Sequence, residues 1–257
     1  MKVVILAGGL GSRITEESHL RPKPMIEIGG KPILWHIMKI YAAQGFNEFV
    51  ICCGYKGQMI KEYFLNYFLY NSNLYIDTST NEVQIKSNNS SNFKVTLVDT
   101  GLNTMTAGRI NKIKDYIDTD DFFLTYGDGV ADIDIQKELE FHKSHNKIGT
   151  MTIVQPEGKY GSLKFDDENL VQDFKEKPKG DGAWINGGFF ILKRDVFNIL
   201  DDSCEDTMWE QEPLENLKNM KELMAFKHSG FWKSMDSMKD KKELEKHWNN
   251  DPKWKIW

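Results

Sequence analysis

Cysteine is nearly absent from this 257-residue chain, which holds only Cys52, Cys53 and Cys204. No two of them form a C-x-x-C pair, so a structural zinc site has no thiolate clamp to use. Cys52 and Cys53 sit inside the apolar run VICCG and read as reduced core residues, which points to a reducing cytoplasm. Long hydrophobic runs are missing too. A membrane span needs roughly 20 consecutive apolar residues. The first apolar run, Val3–Ala7, ends at Gly8-Gly9, too early for an export signal. There is no basic excess either. With 33 lysines and arginines against 38 aspartates and glutamates, the net charge of −5 excludes a general nucleic-acid binder. It leaves room for a small anion held by a few local cations. The six histidines form no H-x-H or H-E-x-x-H pair, and His142 and His145 are expected on an exposed helix face. Ser12 has no evident His/Asp partner, so it is not expected to be a nucleophile.

What is present is an alternation of strand and helix signals. Lys2–Leu6, Glu48–Cys52, Val95–Val98, Phe122–Thr125 and Thr150–Val154 read as strands. Helices are expected between Pro32 and Gly45, over Lys56–Tyr70, over Arg109–Tyr116 and over Asp134–Ser144. This order predicts an α/β fold with a Rossmann-like, mostly parallel twisted sheet flanked by helices. The pattern then turns α+β, laid on the same sheet. It shows a hairpin over Gly161–Phe165 and Leu170–Phe174, a strand at Gly188–Leu192, and helices at Glu210–Leu217 and Lys239–Trp248. Residues 71–94 are polar, with alternating Leu74/Ile76 and Val83/Ile85, and predict a projecting hairpin with a loose loop. No repeat or linker divides the chain, so 1–257 reads as one domain.

Four constellations carry chemistry. The first is Gly8-Gly9-Leu10-Gly11-Ser12-Arg13, directly after strand one, where glycines bring backbone N–H groups close to an anion. The dinucleotide fingerprint fails at Ile14, and no Gly-Lys-Ser/Thr follows for a Walker loop. Arg13, and Lys23 within Arg21-Pro22-Lys23-Pro24, supply the cations that a triphosphate needs, with Lys23 expected on a stiff, extended segment. The second is Tyr126-Gly127-Asp128-Gly129 at the carboxyl end of strand four, where open α/β sheets bind ligands. Asp128 there suits Mg²⁺, which uses few carboxylates and takes phosphate oxygens for the rest. The third is Glu176-Lys177-Pro178 with Asn186-Gly187-Gly188; Glu176 and Asn186 suit sugar hydroxyls, although EKP alone is a weak signal and more often a surface turn. The fourth is Asp236 in WKSMDS, which could instead be an N-cap.

Taken together, LAGGLGSR, RPKP, YGDG, EKP and Asp236 resemble the sugar-phosphate nucleotidylyltransferases over essentially the whole chain. The segments VDTGLNTMTAGRI, LTYGDGVAD and EKPKGDGAWINGGFF look most like the branch that makes CDP-glucose from CTP and α-D-glucose 1-phosphate, releasing pyrophosphate. That branch serves bacterial surface polysaccharides such as the O-antigen of lipopolysaccharide. One departure is Gly11-Ser12-Arg13, where the family more usually has Gly-Thr-Arg; serine keeps the hydroxyl.

The resemblance implies a nucleotide-binding part over 1–146 and a sugar-phosphate-binding part over 147–257. The backbone of Leu6, Ala7, Gly8, Gly9 and Leu10 would face base and ribose, and Gly11, Ser12 and Arg13 would wrap the triphosphate, with Lys23 reaching its phosphates. Thr104 and Arg109 would contact the nucleotide, and Gly127 would lie beneath the ribose. Asp128 and Asp236 would hold Mg²⁺. Lys177 would grip the sugar phosphate, with Glu176, Asn186 and Gly187 around the sugar. The catalytic set is then Arg13, Lys23, Asp128, Lys177 and Asp236.

Sequence physics leaves UMP or dTMP transfer open, since the base is read largely by backbone groups. A GT-A-type glycosyltransferase would use a DxD metal motif; the candidate here, Asp132-Ile133-Asp134, reads better as a helix cap. A non-catalytic nucleotide sensor could discard Arg13, Lys23 and Asp236, yet all three are present. The projecting hairpin and the Trp248–Trp257 end predict a homo-oligomer, a trimer or a hexamer, although the tail could also pack on its own domain.

Overall fold

Seven runs of residues pair into one twisted sheet, whose strand ends form most of the ligand-binding edge. The computed structural model describes residues 1–257 apart from Asn89, Glu157, Lys159, Tyr160, Lys177, Pro178, Gly180, Asp181, Gly182 and Asp201. In chain order its strands are β1 (Val3–Leu6), β2 (Glu27–Ile28), β3 (Lys31–Pro32), β4 (Glu48–Cys53), β5 (Ser72–Asp77), β6 (Glu82–Asn88), β7 (Lys94–Asp99), β8 (Asp121–Tyr126), β9 (Gly129–Ala131), β10 (Gly149–Val154), β11 (Ser162–Phe165), β12 (Val171–Lys175), β13 (Ile185–Lys193), β14 (Leu223–His228) and β15 (Trp232–Ser234). Its helices are α1 (Thr15–Ser18), α2 (Ile33–Ala42), α3 (Gly57–Leu65), α4 (Tyr67–Tyr70), α5 (Thr106–Asn111), α6 (Ile135–His145), α7 (Glu212–Asn219) and α8 (Met238–Asn250). The main sheet runs β14-β10-β13-β8-β1-β4-β7. All its pairs are parallel except those of β13, which is antiparallel to both β8 and β10. The mostly parallel α/β sheet that the alternation predicts is therefore present, and both halves of the chain contribute strands to it.

The pleat of β1 divides the core. Val3 and Ile5 face one way, with α2, Leu139 of α6 and Leu244 of α8; Val4 and Leu6 face the other, with Ile110 of α5 and Leu217 of α7. All four are buried, as a central strand covered on both faces requires. Cys52 and Cys53 divide between the same two layers, as free thiols whose pKa values burial pushes up, that of Cys53 to about 11.

Several elements depart from the sequence reading. The Lys56–Tyr70 helix is broken at Asn66, whose φ of −100° and ψ of 1° end α3 before the single turn of α4. The Arg109–Tyr116 helix is instead α5, which starts at Thr106, followed by a 3-10 turn over Lys114–Tyr116. Strand β14 was not foreseen; LMAFKH lacks clean alternation. His142 is buried rather than exposed, with Nδ1 2.8 Å from Thr150 Oγ1, and burial lowers its pKa to about 4. His145 shares that hydroxyl at 2.8 Å. Asp134 does cap α6, accepting from Lys137 N at 3.0 Å, which removes the DxD reading.

The aromatic tail folds back on its own chain. Trp254 is buried and its Nε1 donates to His36 Nδ1 at 3.3 Å, while His36 Nε2 donates to Ile28 O at 2.8 Å. The rings of Trp248 and Trp257 also pack around His36. Burial lowers the His36 pKa to about 4, so the imidazole is neutral at pH 7.

Glu138 of α6 is fully buried against β10, where Thr152 Oγ1 donates to its Oε1 at 2.6 Å. Burial raises its pKa from 4.5 to about 7, and the Thr152 bond only partly opposes this. Above the unfolded value the folded protein holds a proton that the unfolded chain has lost, so stability falls as pH rises from about 4.5 through about 7. Glu138→Gln removes that titration. Melting curves should show the variant gaining on the parent between pH 5 and pH 8; a constant difference would refute the assignment.

Candidate active site

A cavity of about 510 Å³ opens where β1 and β8 end. One wall is the glycine loop. Gly11 has φ of +67°, and a Cβ there would lie 3.1 Å from Ser18 Cβ, so both conformation and space call for glycine. Ser12 and Arg13 follow at the mouth. Leu6, Ala7, Gly8 and Gly9 line the cavity, whereas Leu10 is 56% exposed and does not.

The floor is held by Arg109, which is only 3% exposed. Its Nη1 donates to Thr100 Oγ1 at 2.6 Å, Gly101 O at 2.8 Å and Cys53 O at 3.2 Å; its Nη2 donates to Gly8 O at 3.0 Å and Leu102 O at 3.3 Å. One guanidinium thus ties together the ends of β1, β4 and β7. The resemblance gives this residue a nucleotide contact. The structure gives it a structural task as well, because it lines the cavity while its amino groups are engaged with protein oxygens. Thr104, also on the wall, donates to Glu205 Oε1 at 3.0 Å and accepts from Lys112 Nζ at 3.0 Å.

The charged centre is built by the short ribbon of β9 and β15. Ser234 pairs with Gly129, and Met235 N donates to Asp128 O at 2.9 Å. The ribbon therefore brings Asp128 beside Asp236, far apart in the chain. Ser237, not Asp236, caps α8, with its Oγ accepting from Asp240 N at 3.3 Å, so the capping alternative for Asp236 is set aside. Lys23 sits between the two carboxylates, its Nζ 2.5 Å from Asp128 Oδ2 and 2.9 Å from Asp236 Oδ1. Arg13 Nη2 lies 3.1 Å from Asp236 Oδ1. Burial pushes the Asp236 carboxyl up, but the bond and charge of Lys23, with Ser234 and Arg13, outweigh it and hold the group below the usual range. The segment carrying Lys23 is a 3-10 turn over Lys23–Met25, not the extended stretch its two prolines suggest.

Two carboxylates that already converge on one ammonium fit a divalent cation. Among the described residues no group of three or more His, Cys, Asp or Glu side chains gathers for a metal. A pair completed by phosphate oxygens is the donor set Mg²⁺ favours.

On the far side, Asn186 and Gly187 line the cavity at the start of β13, with Gly127 below. Glu176 follows β12, exposed and off this wall, and Lys177 lies outside the described residues. Thr106, Met208, Glu210 and Trp232 also line the cavity; Thr106 and Trp232 sit inside TMTAGRI and WKSMDS without a role of their own there, and Met208 and Glu210 belong to no motif.

The family model for nucleotidyl transferases matches residues 2–248. The chain belongs to that family. Such transferases generally use a divalent metal. This transferase is 51% identical over 259 residues to the glucose-1-phosphate cytidylyltransferase of Salmonella typhi, with 100% of both chains covered. It is 45% identical to the probable glucose-1-phosphate cytidylyltransferase of Bacillus subtilis, again over 100% of each. Among solved structures, HddC from Yersinia pseudotuberculosis, complexed with GMP-PN, superposes with a TM-score of 0.70 at 25% identity, covering 96% of this chain and 99% of that one. A UDP-glucose pyrophosphorylase complexed with UDP-glucose gives 0.67 at 17% identity, covering 96% and 98%, a likeness of fold.

Replacing Arg109 by alanine removes its bonds to three strand ends and leaves a void in the cavity floor, although Gly8 O and Cys53 O keep bonds from Tyr55 N and Thr100 N. Arg109→Ala is expected to cost about 3 kcal/mol or more of stability. Urea unfolding measures this; a loss below about 1 kcal/mol would remove the tie from the account.

Proposed function

We propose that this transferase moves CMP from CTP to α-D-glucose 1-phosphate, giving CDP-glucose and pyrophosphate by in-line attack on the α-phosphorus. The full-length identity of 51% to a glucose-1-phosphate cytidylyltransferase carries the choice of base and sugar. The cavity supports the reaction type, since it joins a glycine loop and two cations to a carboxylate pair.

The attacking and departing groups are both polyanions, so the task is positioning and neutralisation. The loop from Gly8 to Ser12 presents backbone N–H groups to the triphosphate. Arg13 and Lys23 meet charge that grows on the leaving pyrophosphate. Lys23 must then exchange its aspartate partners for phosphate oxygens. Asp128 and Asp236 would hold Mg²⁺, which supplies charge neutralisation at the α-phosphate when bound. Thr104 and Arg109 shape the base side and Gly127 the ribose side. Lys177 would hold the sugar phosphate, with Glu176, Asn186 and Gly187 about the sugar. No general base is needed, because a phosphate monoester with a second pKa of about 6 is already largely ionised at pH 7. The reaction belongs in the cytoplasm, and its product would feed a bacterial surface polysaccharide such as O-antigen. Among the described residues no helix is long and apolar enough to cross a membrane.

Pyrophosphate release with each of CTP, UTP and dTTP tests the reading: CTP should be preferred, and equal or better turnover of UTP or dTTP would overturn the choice of base. Asp128→Asn and Asp236→Asn should each lower turnover about 100-fold. Full activity of either variant, or of the parent in excess EDTA, would exclude the metal pair.

The hairpin of β5 and β6 supports a homo-oligomer, a trimer or a hexamer. Leu74 pairs with Ile85 and Ile76 with Val83, an apolar set between 36% and 56% exposed on a ribbon too small to stand alone. With the tail packed on its own chain, this hairpin is a surface that can make the contact. Light scattering should give a multiple of three subunits, falling to monomers when residues 72–92 become a short Gly-Ser turn; a parent mass of 29.8 kDa would dismiss assembly.

A further inference from the structure

One side chain in the cavity has the wrong sign for phosphate. Loop amides suit anions, and Asp128 and Asp236 are balanced by Lys23 and Arg13 together. Glu210, just before α7, places another carboxylate on the same wall. Its Oε2 accepts from Thr106 Oγ1 at 2.8 Å. The Tyr126 phenol lies beside it; burial raises that phenol's pKa, and the charge of Glu210 raises it further. Asn186 Nδ2 reaches the Tyr126 hydroxyl at 3.4 Å. Thr106, Glu210, Tyr126 and Asn186 thus follow one another across the floor, from α5 to the start of β13.

A carboxylate accepts hydrogen bonds and repels phosphate oxygens. Facing a sugar phosphate and a nucleotide, it has use only for a hydroxyl or an amino group. Glu210 bonds Thr106 at the start of α5 and neighbours Tyr126, which Asn186 contacts on the β13 side, where the sugar is placed. A glucosyl ring offers the densest set of hydroxyl donors at that end. We propose that Glu210 accepts a hydrogen bond from a hydroxyl of the glucosyl group, and so helps select the sugar. This inference rests on the reaction proposed above.

The test separates the two. Pyrophosphate release by the parent enzyme from CTP and glucose 1-phosphate bears on the reaction alone. In active enzyme, Glu210→Gln should raise the KM for glucose 1-phosphate ~10- to 100-fold, the weight of a hydrogen bond to a charged group. The KM for CTP should move less than about twofold, which a merely structural role through Thr106 would not spare. The 2-, 3-, 4- and 6-deoxy analogues of glucose 1-phosphate then locate the hydroxyl: for one of them the penalty seen with the parent should vanish in the variant. Equal penalties in both enzymes for every analogue, an unchanged KM for the sugar, or lost discrimination between CTP and UTP would each overturn the proposal. Should Glu210→Gln fail to fold, Glu210→Asp, which keeps the charge and shortens its reach, must show the same division between the two KM values, and its absence overturns the proposal equally.

Discussion

The ligand-binding edge of this protein depends on one buried guanidinium. Three strand ends meet at the floor of the cavity, and their carbonyls can accept more than the backbone bonds that Tyr55 N makes to Gly8 O and Thr100 N to Cys53 O. Arg109 answers them from α5 with a planar fork of donors that a lysine lacks. Because its donors reach Gly8, Cys53 and Gly101 together, the glycine loop is fixed relative to β4 and β7. The close approach is why residue 8 is glycine: a Cβ there would run into the guanidinium. The tie comes at the cost of burying a charge, and burial does lower the Arg109 pKa from its ordinary value.

Charge matching governs the other half of the cavity. Asp128 follows β8 and Asp236 precedes α8, and neither is well placed for anything until β9 pairs with β15. Once they are adjacent, two carboxylates in a half-buried setting need a cation, and Lys23 supplies it. The same arrangement keeps a lysine ready beside the phosphate-binding loop. Arg13 extends the network to solvent. The C-terminal helix therefore takes part in the site, and its Ser237 cap and its tryptophan anchor on His36 hold Asp236 in register.

Much of this was legible in the residues. Apolar runs that stop at glycine, as at Leu6 and Tyr126, marked both the strands and the edge where ligands gather. Asp128 between glycines, and Lys23 between prolines, announced themselves by their backbone context. What stayed hidden was tertiary. Asn66 is an unremarkable helix residue by propensity, yet the turn it makes ends α3. The burial of His142 depends on Thr150 and β10, which helix spacing does not show. Whether Asp236 or Ser237 caps α8 is a matter of one residue, decided by the geometry of the ribbon. The tie made by Arg109 needs three strand ends at once. Glu210 belongs to no motif, and only the fold brings it to Tyr126.

The inverted strand β13 has a consequence for how such a cavity diversifies. In a wholly parallel sheet, every residue at the ligand edge would follow a strand end, crowded among the loops that hold the nucleotide. Running β13 the other way brings a strand's beginning to that edge. Asn186 and Gly187 therefore arrive from a stretch of chain separate from the glycine loop, after the β11–β12 hairpin. The two halves of the cavity come from different stretches of chain and meet at bonds such as those of Asn186 to Tyr126 and of Trp232 to Gly187. A fold wired this way can change one partner in a two-substrate reaction and leave the other alone.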